Sequence, residues 1–231
     1  MKFCIVHYNT PELTTCLCAS INKFHDDAEI IIFDNSDKRP FPNDVFDNVK
    51  IIDNSKGQLI DFNKVIQENS KHLTEREIYA HNTSGCNWGS IKHSASIQWL
   101  LDNLHEEFIL LDSDVLLKKS LNEFYNSTEI IGDVEQGRFV PYVCFLPNNL
   151  KENFLDIKRF NACKMNTDTG GTFIQDIIKN NTPMKRIKWT DYVVHFGNGS
   201  WRFGNTSANL PNSSKGTFQQ FLIENKTYWM D

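Results

Sequence analysis

Short apolar runs alternate with longer amphipathic segments through the first half of the chain. The runs at residues 3–6, 30–33, 51–52 and 108–111 have the continuous apolar character of buried strands. The segments between them have helical spacing, and they lie at residues 11–24, 56–72 and 90–104. A further strand followed by a loop is predicted at residues 75–85. The resulting order β-α-β-β-α-β-α-β predicts an α/β fold with a doubly wound, mostly parallel sheet and helices on both faces.

The second half of the pattern is less regular. Residues 137–147 read as a strand that Pro141 interrupts, which indicates an edge or a bend. A loop-rich segment follows at residues 148–168, and a short helix is predicted at residues 169–180. The last recognisable feature, residues 186–205, contains a strand and then a glycine-rich loop. Neither an internal repeat nor a low-complexity linker divides the sequence, so we predict a single domain over residues 1–231.

Polar residues collect where the predicted parallel strands end. These positions are Tyr8-Asn9, Asp34-Asn35, Asp53-Asn54 and Asp112-Ser113-Asp114. Ligands of open α/β sheets bind beyond the carboxyl ends of the strands. The sequence therefore predicts a binding site at this edge.

Asp112 and Asp114 are the most informative of these residues. Residues i and i+2 of an extended segment point the same way, so the two like charges converge and disfavour joint ionisation. A divalent cation relieves that repulsion, and carboxylate oxygens suit Mn²⁺ or Mg²⁺, which in turn suit a diphosphate. An Asp-x-Asp sequence also occurs in solvated turns, but here it follows a buried strand in an alternating α/β pattern.

The composition narrows the classes of partner and compartment. Hydrophobic residues make up 40% and charged residues 23%, and the formal net charge is -5. This balance is typical of a globular protein and disfavours binding to nucleic acid. The N-terminal apolar run is too short for a signal peptide core, and no run of about 18 apolar residues follows. We therefore expect a cytoplasmic protein without a transmembrane segment, whose six cysteines are reduced and mostly buried.

Several segments together resemble family 2 and related glycosyltransferases of the GT-A fold. These segments are VHYNTPELTTCLCASI at residues 6–21, IIIFDNSD at 30–37, NWGSIKHSASIQWLLDN at 87–103 and LLDSDVLL at 110–117. The resemblance implies a Rossmann-like nucleotide-sugar-binding half at residues 1–117 and a smaller acceptor-side half at residues 118–231. It implies a metal-dependent transfer of a hexose from a nucleoside-diphosphate sugar, UDP-linked, to an acceptor hydroxyl. The acceptor would be a glycan or a lipid-linked sugar in bacterial cell-surface polysaccharide biosynthesis, with peripheral membrane contact through that acceptor.

The resemblance also assigns roles to residues of the first half. Tyr8, Asn9 and Thr10 would meet the base and ribose, and Asp34 would bind the base edge. Asp112 would contact the ribose or the metal. The alternatives from the residues alone are core packing for Tyr8 and an Asx-turn for Asp34.

Asp114 would be the direct metal ligand, and His195 in HFGNGSW resembles the late histidine that completes the metal shell in some members. An imidazole beside carboxylates favours Mn²⁺ over Mg²⁺. Phosphate oxygens would be met by the backbone of two glycines and by two basic side chains. These four residues are Gly197, Gly199, Arg202 and Lys185.

An inverting transferase needs a general base near the acceptor hydroxyl. Asp168 precedes the predicted helix of the acceptor half, where family 2 members carry an acid in this role. The sequence reads Thr167-Asp168 in place of the usual Glu-Asp pair, so helix capping by Asp168 is the alternative. Asp176 and Asp191 are weaker candidates, and a retaining mechanism stays open.

Two other functions fit parts of the sequence. FILLDSDVL also matches the signature of haloacid-dehalogenase-type phosphatases, with Asp112 as nucleophile and Asp114 as general acid. Those enzymes carry the motif on their first strand, whereas the apolar runs at residues 3–6, 30–33 and 51–52 all precede it here. The other function is a non-catalytic domain that binds a nucleotide-sugar without turnover.

Overall fold

A computed structural model describes residues 1–71, 74–76, 78–79, 88–148, 169–197 and 219–230. Nine strands lie in this part of the chain, at β1 Lys2–His7, β2 Glu29–Asp34, β3 Val49–Asp53, β4 Phe108–Asp112, β5 Val115–Leu117, β6 Ile130–Glu135, β7 Arg138–Leu146, β8 Met184–Arg186 and β9 Val193–His195. The α-helices are α1 Pro11–Phe24, α2 Phe62–Ser70, α3 Trp88–Leu104 and α4 Gly171–Asn180. Single 3₁₀ turns occur at Asn122–Phe124, Trp189–Asp191 and Lys226–Tyr228.

The chain divides into two compact units. The first consists of Met1–Lys56, Phe108–Tyr125 and Lys188–Asp231, and the second consists of Gly57–Glu107 and Asn126–Ile187. The main sheet has seven strands, ordered β3-β2-β1-β4 in the first unit and β7-β6-β8 in the second. The prediction of a single domain stays a prediction.

All the strands that pair within the first unit's part of the main sheet are parallel. β1 pairs with both β2 and β4, and β2 pairs with β3. Their apolar side chains are buried, with Phe3, Ile5 and Phe33 fully inaccessible. Continuous apolar strands are expected when both faces of a parallel sheet are covered. The predicted α/β fold with a mostly parallel sheet is therefore confirmed.

Helix α1 connects β1 and β2 and supports the segment after β4. Pro11 occupies its first turn and Glu12 follows. Proline suits this position because the backbone N–H of a first helical residue has no partner within the helix, and proline has no such N–H. The Ser20 hydroxyl accepts a hydrogen bond of 3.1 Å from the Leu117 amide. The imidazole Nε2 of His25 accepts one of 3.1 Å from the Leu121 amide. Both contacts attach the β5 region to this helix.

In the second unit, β6 and β7 form an antiparallel hairpin and β8 pairs with β6 in parallel. Gln136 and Gly137 link the hairpin with φ of 51° and 78°, which suits a tight turn of the type that joins twisted strands. The pairing shifts register between Ile131 and Asp133, opposite the part of β7 that contains Pro141. The predicted bend at Pro141 is consistent with this irregularity, since proline cannot donate to a ladder.

Some expectations of the sequence pattern need correction. The strand predicted at residues 75–85 is wrong for its described part, because residues 75, 76, 78 and 79 are helical and the Ile78 amide donates to the Thr74 carbonyl at 2.9 Å. Thr74 followed three residues later by glutamate is a helix-start signal that the pattern contains. The rest of that segment, and residues 149–168, lie outside the described residues. None of the described helices is both long enough and apolar enough to cross a membrane.

Candidate metal and nucleotide site

The register of the parallel strands aligns their carboxyl ends. His7 is opposite Asp34, Asp34 is opposite Asp53, and Val6 is opposite Asp112. The predicted gathering of polar residues at one edge of the sheet is thus confirmed for these four strands. The carboxylates among them are the ones that the sequence pattern singles out.

Asp112 ends β4, and Ser113 and Asp114 form the turn into β5. The turn is anchored because the Asp114 carbonyl accepts a 2.9 Å hydrogen bond from the Phe196 amide. Asp114 is only 7% exposed. A carboxylate in this position loses much of its hydration, and a like charge two residues away makes its ionised form still more costly.

His195 reaches these acids from the other end of the chain. It ends β9, which pairs antiparallel with β5 and places His195 opposite Val115. Its Nε2 lies 3.2 Å from Oδ1 of Asp114, and both side chains are largely buried. The strand predicted within residues 186–205 is confirmed, and His195 is its last residue.

One ligand atom from each of Asp112, Asp114 and His195 lies within 4.8 Å of the others. Two carboxylate oxygens and one imidazole nitrogen form a donor set that suits Mn²⁺ and accepts Mg²⁺ less readily. A divalent cation also resolves the charge problem of two close, mostly buried acids. On the chemistry of this donor set, the residues present fit a divalent cation.

The loop after β1 is bound to the loop after β2 through Asn9. Asn9 is buried and has a left-handed backbone with φ of 55°. Its Nδ2 donates to Asp37 at 2.6 Å, and its Oδ1 accepts from the amides of Lys38 and Arg39 at 3.1 and 2.9 Å. Its own amide donates to the Ser36 hydroxyl at 2.9 Å. Asn9 therefore organises both loops in the described conformation.

Asp34 has a similar internal role. Its two carboxylate oxygens accept hydrogen bonds of 2.8 Å from the amides of Ser36 and Phe41, and the residue is buried. The first of these bonds is the Asx-turn that the residues alone suggest. A contact between Asp34 and a base edge stays a prediction, and it would compete with these bonds.

Tyr8 and Thr10 flank Asn9 and differ in how they are satisfied. Burial raises the pKa of the Tyr8 hydroxyl, and so do the charge of Asp37 and a hydrogen bond to it. Thr10 is buried, yet its Oγ1 has no hydrogen-bond partner among the described residues. Thr10 also does not cap α1 through its side chain. A buried hydroxyl without a partner is costly, and it marks a place where a ligand or a water molecule would bond.

The remaining predicted residues are not all described. Gly197 has φ of 78°, and an added Cβ would meet no described atom within 4 Å. Lys185 lies exposed in β8 of the second unit. Gly199, Arg202 and Asp168 lie outside the described residues. The phosphate-binding and base roles of these five residues stay predictions.

Of the weaker base candidates, Asp176 is buried in α4 of the second unit and Asp191 is exposed in the turn before β9. Sequence reasoning missed Trp189, whose ring meets the His195 ring edge-on with the centroids 6.0 Å apart. The signal for this contact was available in the sequence WTDYVVH. A short helical turn begins at Trp189, and it brings the tryptophan back toward His195 at the end of β9.

Comparisons with known proteins give structural similarity without a sequence match. No protein-family model matches the chain, and no curated protein does. Among solved structures, the galactosyltransferase LgtC in complex with donor and acceptor sugar analogues is 13% identical, with a TM-score of 0.44 over 81% of this chain and 73% of that one. Glycosyltransferase GlyE of Streptococcus pneumoniae is 11% identical, with a TM-score of 0.45 over 97% of this chain and 50% of that one.

Mouse xyloside xylosyltransferase 1 is also similar, at 11% identity and a TM-score of 0.43 over 82% of this chain and 86% of that one. All three structures are glycosyltransferases, which is the class that the sequence resemblance names.

Proposed function

We propose that the protein is a metal-dependent glycosyltransferase that moves a sugar from a nucleoside-diphosphate sugar to an acceptor hydroxyl. The observation that carries the proposal is the cluster of Asp112, Asp114 and His195 at the carboxyl end of a central parallel strand. The loops that follow β1 and β2 begin at the same edge of the sheet. In a fold of this type a nucleotide would lie at that edge.

The three side chains would hold the cation through one imidazole nitrogen and two carboxylates. His195 would bind as the neutral imidazole, which is the form that coordinates metals. When bound, Mn²⁺ or Mg²⁺ would supply positive charge that offsets the negative charge of the departing diphosphate. Asp112 and Asp114 fix where that charge lies, because their backbone is held by β4, by β5 and by the Phe196 amide.

The proposed reaction is a displacement at the anomeric carbon of the donor. The acceptor oxygen forms a bond to that carbon, the bond from the carbon to the diphosphate oxygen breaks, and the diphosphate leaves with the electron pair. The proton of the acceptor hydroxyl passes to a base. Asp168 is the residue that we propose for this role in an inverting mechanism, as the sequence resemblance implies.

On the nucleotide side, Thr10 is the best supported contact. Its buried hydroxyl lacks a partner among the described residues, so a ribose or phosphate oxygen would satisfy it. We propose that Tyr8 and the loop organised by Asn9 form the wall on which the base lies. Gly197, Gly199, Lys185 and Arg202 complete the proposal as phosphate contacts. We propose UDP as the nucleotide and a glycan or lipid-linked sugar as the acceptor, in cell-surface polysaccharide synthesis at the cytoplasmic side of a membrane.

The substitution Asp114→Asn tests the proposal. It keeps the size of the side chain and removes the charge that we assign to metal binding, so Mn²⁺-dependent hydrolysis of UDP-galactose and UDP-glucose should fall at least a hundredfold. Calorimetry should show in parallel that Mn²⁺ no longer strengthens UDP binding. Asp53→Asn is the matched control. Asp53 also lies at the carboxyl end of a parallel strand, β3, but its carboxylate accepts a hydrogen bond from the Ser55 amide and does not belong to the cluster of Asp112, Asp114 and His195.

The control should retain the activity and the Mn²⁺ effect of the wild type. Melting temperatures of both variants without metal would establish that the fold is intact. Donor hydrolysis that is unchanged in a folded Asp114→Asn protein would contradict the proposed mechanism. UDP binding that depends on Mn²⁺, without transfer or hydrolysis of any donor, would instead identify a non-catalytic binding domain.

A further inference from the structure

The pairing that brings His195 to Asp114 is short. Strands β5 and β9 pair over three residues each, and a two-stranded ladder of this length is marginal by itself in water. The position of the imidazole must therefore depend on what holds the preceding residues. These are residues 188–192, which we call the 188–192 segment.

Two neighbouring lysines hold the 188–192 segment, Lys118 through its backbone and Lys119 through the Tyr192 ring. The Lys118 amide donates to the Tyr192 carbonyl at 2.8 Å, and the Lys118 Nζ donates to the Thr190 carbonyl at 2.8 Å. Lys119 places its Nζ 4.0 Å from the centroid of the Tyr192 ring. These contacts come from the residues directly after β5, so the segment is bound to the strand that follows Asp114.

The side chain of Trp189 then projects onto the imidazole. The two rings are nearly perpendicular, at 87°, with their centroids 6.0 Å apart. On another side, Nε2 of His195 faces Asp114 at 3.2 Å. The imidazole is thus contacted by an aromatic ring and by a carboxylate. The last torsion of a histidine side chain is broad, so a bulky neighbour is needed to select one orientation.

We propose that Trp189 is a positioning residue for His195, holding the imidazole plane so that Nε2 faces Asp114 before a cation binds. This inference rests on the proposed function, because it assigns Trp189 a role in the metal site of that function. Groups that orient a metal ligand typically change metal affinity by about 10–100-fold. Trp189 does this by a ring contact, while Lys118 holds the backbone of the segment and Lys119 contacts the Tyr192 ring.

The test is a double-mutant cycle on Mn²⁺ affinity, measured by electron paramagnetic resonance with the metal alone. The four proteins are the wild type, Trp189→Ala, His195→Ala and the double variant. Trp189→Ala should weaken Mn²⁺ binding about tenfold, and it should have no further effect when His195 is already alanine. Trp189→Phe, which keeps an aromatic ring, should stay within about twofold of the wild type. Trp99→Ala, in α3 of the second unit, is the control for loss of a tryptophan elsewhere.

The outcomes separate this inference from the proposed function. If His195→Ala weakens Mn²⁺ binding and Trp189→Ala does not, the role of Trp189 is refuted while the metal site stands. Equal weakening by Trp189→Ala with and without His195 would also refute it, because Trp189 would then act on the fold and not through the imidazole. Equal affinity of the wild type and His195→Ala would overturn the proposed function and this inference together. If Trp189→Ala does not fold, Trp189→Leu provides the same comparison.

Discussion

Gly170 is the position where a single methyl group should have the largest effect on the second unit. It has φ of 88°, and its carbonyl accepts a hydrogen bond of 3.2 Å from the Phe139 amide of β7. A Cβ at this position would lie 2.0 Å from the Phe139 carbonyl oxygen. Gly170→Ala therefore adds a left-handed backbone penalty of about 1–2 kcal/mol and a displacement of α4 from β7 that costs about 1–3 kcal/mol.

The sum is a loss of about 2–5 kcal/mol in the free energy of unfolding. For a chain of this size each kcal/mol lowers the melting temperature by about 2–4 °C, so we expect a decrease of roughly 4–20 °C by differential scanning calorimetry. Gly137→Ala is the matched control, because Gly137 has φ of 78° and an added Cβ would meet nothing within 4 Å. It should carry only the backbone penalty of about 1–2 kcal/mol. Equal destabilisation by the two substitutions would refute the assignment of a steric contact at Gly170.

Two further predictions concern protonation and the competing chemistry. Burial is the main cause that lowers the pKa of His7 and of His25. Below pH 6.5 the unfolded chain therefore binds protons before the folded one does. The free energy of unfolding decreases as the pH is lowered, by up to about 1.4 kcal/mol per pH unit for each histidine. The Nε2 of His25 must be unprotonated to accept the hydrogen bond from the Leu121 amide. The free energy of unfolding in urea, measured between pH 7.5 and pH 5, should therefore depend less on pH in His25→Gln. An unchanged pH dependence would contradict this role of His25. For the phosphatase alternative, the wild type should hydrolyse p-nitrophenyl phosphate no faster than Asp112→Asn. A rapid hydrolysis that Asp112→Asn abolishes would favour the phosphatase function over sugar transfer.

The sequence pattern predicts the first half of the fold well because local and tertiary preferences agree there. The strands that end at His7, Asp34, Asp53 and Asp112 are continuous apolar runs, and both faces of a parallel sheet demand such runs. The spacing of Ile91, Ala95, Trp99 and Leu100 predicts one apolar side of α3. Ile91, Ala95 and Leu100 are buried, and Trp99 is partly exposed.

The pattern fails where pairing partners decide the structure. β6 and β8 were not predicted, because Ile130–Glu135 contains a glycine and two acids and Met184–Arg186 carries two basic residues. Their strand character depends on each other and on β7. Gly132 illustrates this dependence, since an added Cβ there would lie 2.5 Å from the Phe139 ring, a contact that no local pattern reveals.

The candidate metal site was predictable as a set of residue types but not as a geometry. Asp112 and Asp114 could be predicted because they lie at the end of β4 and just beyond it. His195 could be predicted because it comes directly after an apolar run. Their approach within 4.8 Å depends on the pairing of β5 with β9, which joins segments about eighty residues apart. For Asn9 and Asp34, sequence types that suit ligand contacts equally suit internal hydrogen bonds, and only the structure distinguishes the bonds that they make.

The hydrogen bonds that join Asn9 to residues 36–39 have a consequence for any exchange of the loop after β2. Exchanging residues 35–41 alone for the equivalent loop of another enzyme would leave the side-chain amide of Asn9 without its hydrogen-bond partners. The new loop would then lack the contacts that hold it. Any transplant of the loop after β2 must carry residue 9 with it, so the exchangeable unit comprises two stretches of chain that are distant in sequence.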